Sequence, residues 1–190
     1  MTTDEQNLQR QLADPQRCRA AFAEVVRLYS EQLYWKVRRM VLNHDDANDI
    51  LQNVFIKAWN NLDEFHNKAK ISTWLYRIAV NESLDFLRRQ KNTAEISADE
   101  EPTVAAQLLA DDFFDGDHTE ALLQEAIAQL PDVQRVVFNL RYFDEMKYSD
   151  ISKMLNTSEG ALKASYHIAV KKLLHICTTA IKPHERKFVK

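Results

Sequence analysis

The chain has 190 residues, 45% of them hydrophobic, with only two glycines and four prolines; that is enough to bury one moderate core or two small ones, mostly as helix. Its formal charge of −3 argues against a free-standing nucleic-acid binder held by its own phosphate contacts, because such domains are commonly strongly basic. No apolar run approaches the ~20 residues of a membrane span, and "MTTDEQNLQRQLADPQ" lacks a secretory apolar core, so a cytoplasmic protein with no membrane insertion is expected.

The first amphipathic stretch is "DPQRCRAAFAEVVRLYSEQLYWKVRRMVLN". With Asp14 as N-cap and Pro15 at the first helical position, it places Phe22, Val26, Tyr29, Leu33, Val37 and Met40 at steps of three or four. One long helix, or two with a bend, is predicted. Trp35, among Lys36, Arg38 and Arg39, reads either as packing or as a nucleic-acid contact. Next, "DDANDILQNVFIKAWNNL" puts Ile50, Leu51, Val54, Phe55, Ala58, Trp59 and Leu62 on one face, capped by Asp45 or Asp46. Ile50, Phe55 and Trp59 are expected in the core. The opposite face carries Asp49, Gln52, Asn53 and Lys57. After the polar loop "DEFHNKAKI", the stretch "STWLYRIAVNESLDFLRRQK" predicts a helix capped by Ser72. It should bury Leu75, Ile78, Ala79 and Leu87, with Trp74 also packing, and end on Arg88, Arg89 and Lys91.

Charge divides the chain. Residues 1–91 carry 14 Lys/Arg against 12 Asp/Glu, residues 92–120 carry 9 Asp/Glu and no Lys/Arg, and residues 121–190 carry 11 Lys/Arg against 7 Asp/Glu. The middle segment, "NTAEISADEEPTVAAQLLADDFFDGDHTE", has little sustained periodicity and reads as a solvated acidic linker. Within it, "VAAQLLADDFF" has the composition of a short helix or of a docking segment.

Beyond it, Pro131 and Asp132 start a helix through "VQRVVFNLRYF", with Val133, Val136, Val137 and Leu140 facing inward. "DEMKYSD" breaks it. "SDISKML" makes two turns with Ile151, Met154 and Leu155 apolar, "NTS" turns the chain, and Ser158 caps a longer helix containing "ALKASYHIAVKKL". Short helix, tight turn, longer helix is helix-turn-helix geometry, whose second helix fits a major groove roughly 12 Å wide. The same pattern also occurs in ordinary helical bundles. The six histidines show no metal-ligand spacing, so neither metal nor cofactor is expected. Cys18 and Cys177, far apart and outside any CxxC, read as inert thiols.

Two blocks carry a family resemblance. "DDANDILQNVFIKAWNNLDEF" with "STWLYRIAVNESLDFLRRQK" resembles region 2 of the bacterial sigma-70 family, and "LPDVQRVVFNLRYFDEMKYSDISKMLNTSEGALKASYHIAVKKL" resembles its region 4. The match covers roughly residues 14–91 and 120–175, and the acidic linker in place of a full region 3 resembles the small extracytoplasmic-function (ECF) group. The resemblance implies an all-α, non-enzymatic specificity subunit of bacterial RNA polymerase. Its two small helical domains would be region 2 (1–91) and region 4 (121–190), joined by a flexible acidic linker (92–120). Its expected partners are core RNA polymerase and promoter DNA, and whether an anti-sigma factor also holds it is left open. The linker is either a polyanion mimic in the polymerase's positively charged RNA-exit path or a soluble tether.

The resemblance also implies the roles of residues. Asp49, Gln52, Asn53 and Lys57 match the face that docks on the polymerase clamp, although Asn53 stands where an acidic residue is typical. Phe65, Lys70, Ser72, Thr73, Tyr76, Arg77, Asn81 and Arg88 match the loop and helix that hold the −10 element single-stranded by stacking and hydrogen bonding. Asp85, repulsive to phosphate, either reads a base donor or faces solvent. Lys163, Ser165, His167, Lys171 and Lys172 match the −35 reading helix. In that helix Ala161, Ser165, Ile168 and Val170 replace a common Thr and three arginines, which reduces bidentate guanine contacts and favours shape or thymine-methyl readout. Two competing readings are an autonomous dimeric helix-turn-helix regulator and a sigma-mimicking interaction module.

Overall fold

The computed structural model describes residues 3–65, 70–93 and 118–181, and every regular element among them is helical. The chain divides into two compact units, whose helices lie on either side of residues 94–117. "VAAQLLADDFF" lies outside the described residues.

The first unit contains a helix the sequence pattern did not announce, α1 (Thr3–Leu12), which buries Leu8, Gln9 and Leu12. Its successor α2 (Cys18–Val41) is one helix of 24 residues, without a break. It starts later than Asp14 and Pro15 suggest. Asp14 turns the chain instead: its carboxylate accepts the Gln16 amide at 2.9 Å, and its carbonyl accepts the Arg17 and Cys18 amides. The helix stops at Leu42, whose φ of 70° lets its amide return to the Arg38 carbonyl.

Helix α3 (His44–Asn60) is capped by Asn43, whose side chain accepts the Asp45 and Asp46 amides at 2.8 and 3.1 Å. Asp45 and Asp46 are therefore first-turn residues, where their charge favours the positive helix end, and neither is the cap. Ile50, Val54 and Ala58 are buried, and Leu51, Phe55 and Leu62 are half-buried. Trp59 is a correction: 44% exposed, it lies at the rim with its ring 5.0 Å from that of Phe22. Trp35 is half-buried and edge-packed on Tyr34 at 5.1 Å. Helix α4 (Ile71–Thr93) begins one residue before Ser72, so Ser72 is not its cap. It packs against α2 and α3 through Ile71, Leu75, Ala79, Val80 and Leu87, with Ile78 half-buried.

In the second unit, α5 (His118–Ala128) begins inside the stretch read as linker. α6 (Asp132–Tyr142) follows, with Pro131 just before it. Val136, Val137 and Leu140 are buried as expected, but Val133 is 64% exposed. Periodicity defines a face and not how far along it neighbouring helices reach. Arg135, 4% exposed, fastens the α5–α6 corner by donating to the Ala128 and Leu130 carbonyls (3.3 and 3.0 Å) and to Asp132 at 2.7 Å. α7 (Tyr148–Leu155) and α8 (Glu159–Ile181) complete the unit. Leu162, Ala169 and Leu173 of α8 are buried, the last two in a cluster with Ile127, Leu130 and Phe138. Among the described residues, no helix is long and apolar enough to cross a membrane, and no group of His, Cys, Asp and Glu could hold a metal ion.

Candidate nucleic-acid interface

The turn between α7 and α8 is built by its own side chains. Asn156 adopts φ 49° and returns its amide to the Ser152 carbonyl; the Thr157 hydroxyl donates to the Leu155 carbonyl at 3.1 Å. Ser158 Oγ accepts the Ala161 amide at 3.3 Å, so Ser158 caps α8 as its sequence context predicts. With Leu162, Ala169 and Leu173 turned inward, the opposite face of α8 is solvent-exposed.

That exposed face carries Lys163, His167 and Lys171 at steps of four, flanked by Ala164 and by Ile168, which is 44% exposed. Lys172 is exposed beside this row, whereas Ser165 is half-buried on the flank. Lys163 is held in place: its Nζ lies 3.7 Å from Glu159 Oε2 and 5.6 Å from the centre of the Tyr148 ring. Tyr148, which also lies under the Arg141 guanidinium at 5.4 Å, had no signal in the sequence, because its role depends on α7 meeting α8. The stripe is cationic at its two ends and apolar at Ala164 and Ile168, a chemistry suited to phosphate contacts and thymine methyls.

On α4, Thr73, Arg77, Asn81 and Arg88 are all exposed, and their spacing places them on one stripe. Arg88 pairs with Asp85 at 3.1 Å, both exposed, so Asp85 is solvent-facing and partly neutralised. Lys70 is exposed just before the helix. Ser72 and Tyr76 are half-buried on the inner flank, with the Lys36 ammonium 4.3 Å above the Tyr76 ring. Phe65 is half-buried and tilted against Trp74 with ring centres 4.8 Å apart, so Trp74 packs at the loop's edge. Of the loop "DEFHNKAKI", residues 66–69 lie outside the described residues.

On α3, Asp49, Gln52 and Asn53 are exposed together. Ile56 joins them, 50% exposed, which sequence reasoning missed; the available signal was an apolar residue out of phase with the buried face. Lys57 lies at the edge of this face and bonds to the largely buried carboxylate of Glu82 on α4. Its charge therefore serves helix pairing before any outside contact.

Comparison with known proteins places these elements in a family. Residues 25–93 match the family model for Sigma-70 region 2, and residues 120–173 match that for Sigma-70, region 4. The chain is 37% identical over 156 residues to the ECF RNA polymerase sigma factor SigW of Bacillus subtilis, covering 77% of this chain and 83% of that protein. It is 30% identical over 146 residues to the ECF RNA polymerase sigma factor SigM of Mycobacterium tuberculosis, covering 77% and 71%. Its fold is similar to that of CnrH, solved in complex with the cytosolic domain of CnrY (TM-score 0.62, 22% identity, 92% of this chain and 97% of that one). It is also similar to that of the sigma factor RpoE of Bartonella quintana, solved with the anti-sigma factor NepR (TM-score 0.60, 23% identity, 83% and 96%).

Proposed function

The chain belongs to the ECF group of the sigma-70 family, and from that premise we propose that it directs core RNA polymerase to specific promoters. Residues 1–91 act as region 2 and residues 121–190 as region 4, with the acidic segment 92–120 between them. The observation that carries this reading is the pairing, in one chain, of the helix-turn-helix at residues 148–181 with the α3–α4 layer, in the order of the two family models.

Asp49, Gln52 and Asn53, with Ile56 at their centre, dock on the polymerase, and Lys57 borders that face. Thr73, Arg77, Asn81 and Arg88, with Lys70 and the Phe65–Trp74 stack, hold the −10 element. Ser72 and Tyr76 support that surface from its inner flank. Lys163, His167, Lys171 and Lys172 read the −35 element, with Ser165 at the margin. The chain itself catalyses nothing; polymerisation belongs to the core enzyme, and the protein works in the cytoplasm where that enzyme is. An anti-sigma factor is proposed as a further partner, as solved for RpoE.

Run-off transcription from genomic fragments, with core polymerase and with or without the chain, tests the reading. Discrete promoter-dependent transcripts are expected only with the chain. Asp49→Arg combined with Gln52→Ala should abolish both the transcripts and co-purification with core while helicity stays constant, since both side chains are exposed. Co-purification at wild-type yield would show that another face docks.

A further inference from the structure

The first turn of α4, the helix assigned to the −10 element, draws an acceptor from another helix. Its opening residues include no acidic side chain, and the side chain just before it, that of Lys70, has donors only. The first amides of a helix have no partner inside it and need an acceptor from elsewhere. Glu5 of α1 supplies one: its Oε1 accepts the Ile71 amide at 3.2 Å across 66 residues of sequence. A carboxylate there also suits the positive end of the helix dipole.

The rest of α1 keeps that carboxylate in place. Leu8, Gln9 and Leu12 are buried, and α1 packs on α2. Gln9, Leu12 and Pro15 share a cleft with Leu62, Asp63 and Phe65, the segment leading into the promoter-facing loop. Tyr29 of α2 lies close enough that burial first, and the Glu5 charge second, push its hydroxyl upward. Helix α1 itself lies outside the matched family segment, which begins at residue 25.

We propose that α1 braces the promoter-reading end of α4, with Glu5 as a positioning residue for −10 recognition. The inference rests on the assignment of α4 to the −10 element. The exposed stripe of α4 starts at Thr73, two residues from the Glu5 bond, and the Phe65–Trp74 stack sits at the same end. If the first turn frays, Thr73 and Trp74 lose their fixed position, and bases presented to them are discriminated less sharply. Polymerase docking through α3 and −35 reading through α8 use neither group.

The test uses the full chain with core polymerase and fork-junction DNA carrying a matched or singly substituted −10 strand. Glu5→Ala should reduce the matched-to-mismatched affinity ratio by about fivefold, the order expected for one helix cap. It should also raise hydrogen exchange at the Ile71 amide, with holoenzyme yield and −35 preference unchanged. Glu5→Gln, which keeps the acceptor, should restore most of the ratio and of the amide protection. An unchanged ratio in Glu5→Ala would overturn the inference. So would parallel loss of holoenzyme yield and −10 preference, which would make α1 a general stabiliser. A wild-type holoenzyme with no −10 preference would instead overturn the assignment of α4 itself.

Discussion

Cys18 is a free, half-buried thiol near Asp63, and burial first, then the Asp63 carboxylate, push its pKa up. Only the thiolate is a good nucleophile. A raised pKa means that the folded protein holds this proton as pH rises, so alkylation should climb with pH later than for an unfolded chain. In a Cys177→Ser background, iodoacetamide should therefore modify Cys18 more slowly at pH near 8 than it modifies the same chain in urea. Asp63→Asn should move the folded profile part of the way back toward lower pH. Equal rates for folded and unfolded chain would contradict this account of Cys18.

At the scale of the element, α8 divides its exposed residues by position. Lys163 and His167 stand near the N-terminal end, the part of a recognition helix that enters the groove, and Lys163 is steadied by Glu159 and Tyr148. Lys171 and Lys172 lie further along, where such a helix leaves the groove and meets phosphate. Replacing both by glutamine should weaken holoenzyme binding similarly across a panel of −35 variants. The salt dependence should flatten by up to about one slope unit per lost contact. Lys163→Ala with His167→Ala should instead compress the affinity gap between the best and mismatched −35 sequences. Measuring that panel at two salt concentrations separates the two roles; a double mutant at 163 and 167 with full wild-type preference would leave −35 reading without its helix.

For the whole molecule, the charge distribution sets how DNA is bound. Excesses of two positive charges in residues 1–91 and four in residues 121–190 are small for a protein that must neutralise phosphates unaided, and residues 92–120 add nine negative ones. The isolated chain should therefore bind duplex DNA poorly at physiological salt, and core polymerase should create sequence-specific binding that an electrophoretic shift detects. Nanomolar, sequence-specific binding by the chain alone would contradict that division of labour. The two helical blocks, the apolar faces of α2, α3, α4 and α6, the Ser158 cap and the helix-turn-helix were readable in the sequence, because they depend on spacing and on neighbours within a few residues. Where α2 begins, which residue caps α3, and the outward turns of Trp59 and Val133 were not, because competing local hydrogen bonds and the reach of neighbouring helices decide them. Least readable were Glu5 at the end of α4, Tyr148 beneath Lys163, and Lys57 bound to Glu82. Each joins groups on different helices, and a chemical pattern read along the chain contains no term for which helices meet; only the packing among α1, α2, α3 and α4, and of α7 against α8, brings those groups within bonding distance.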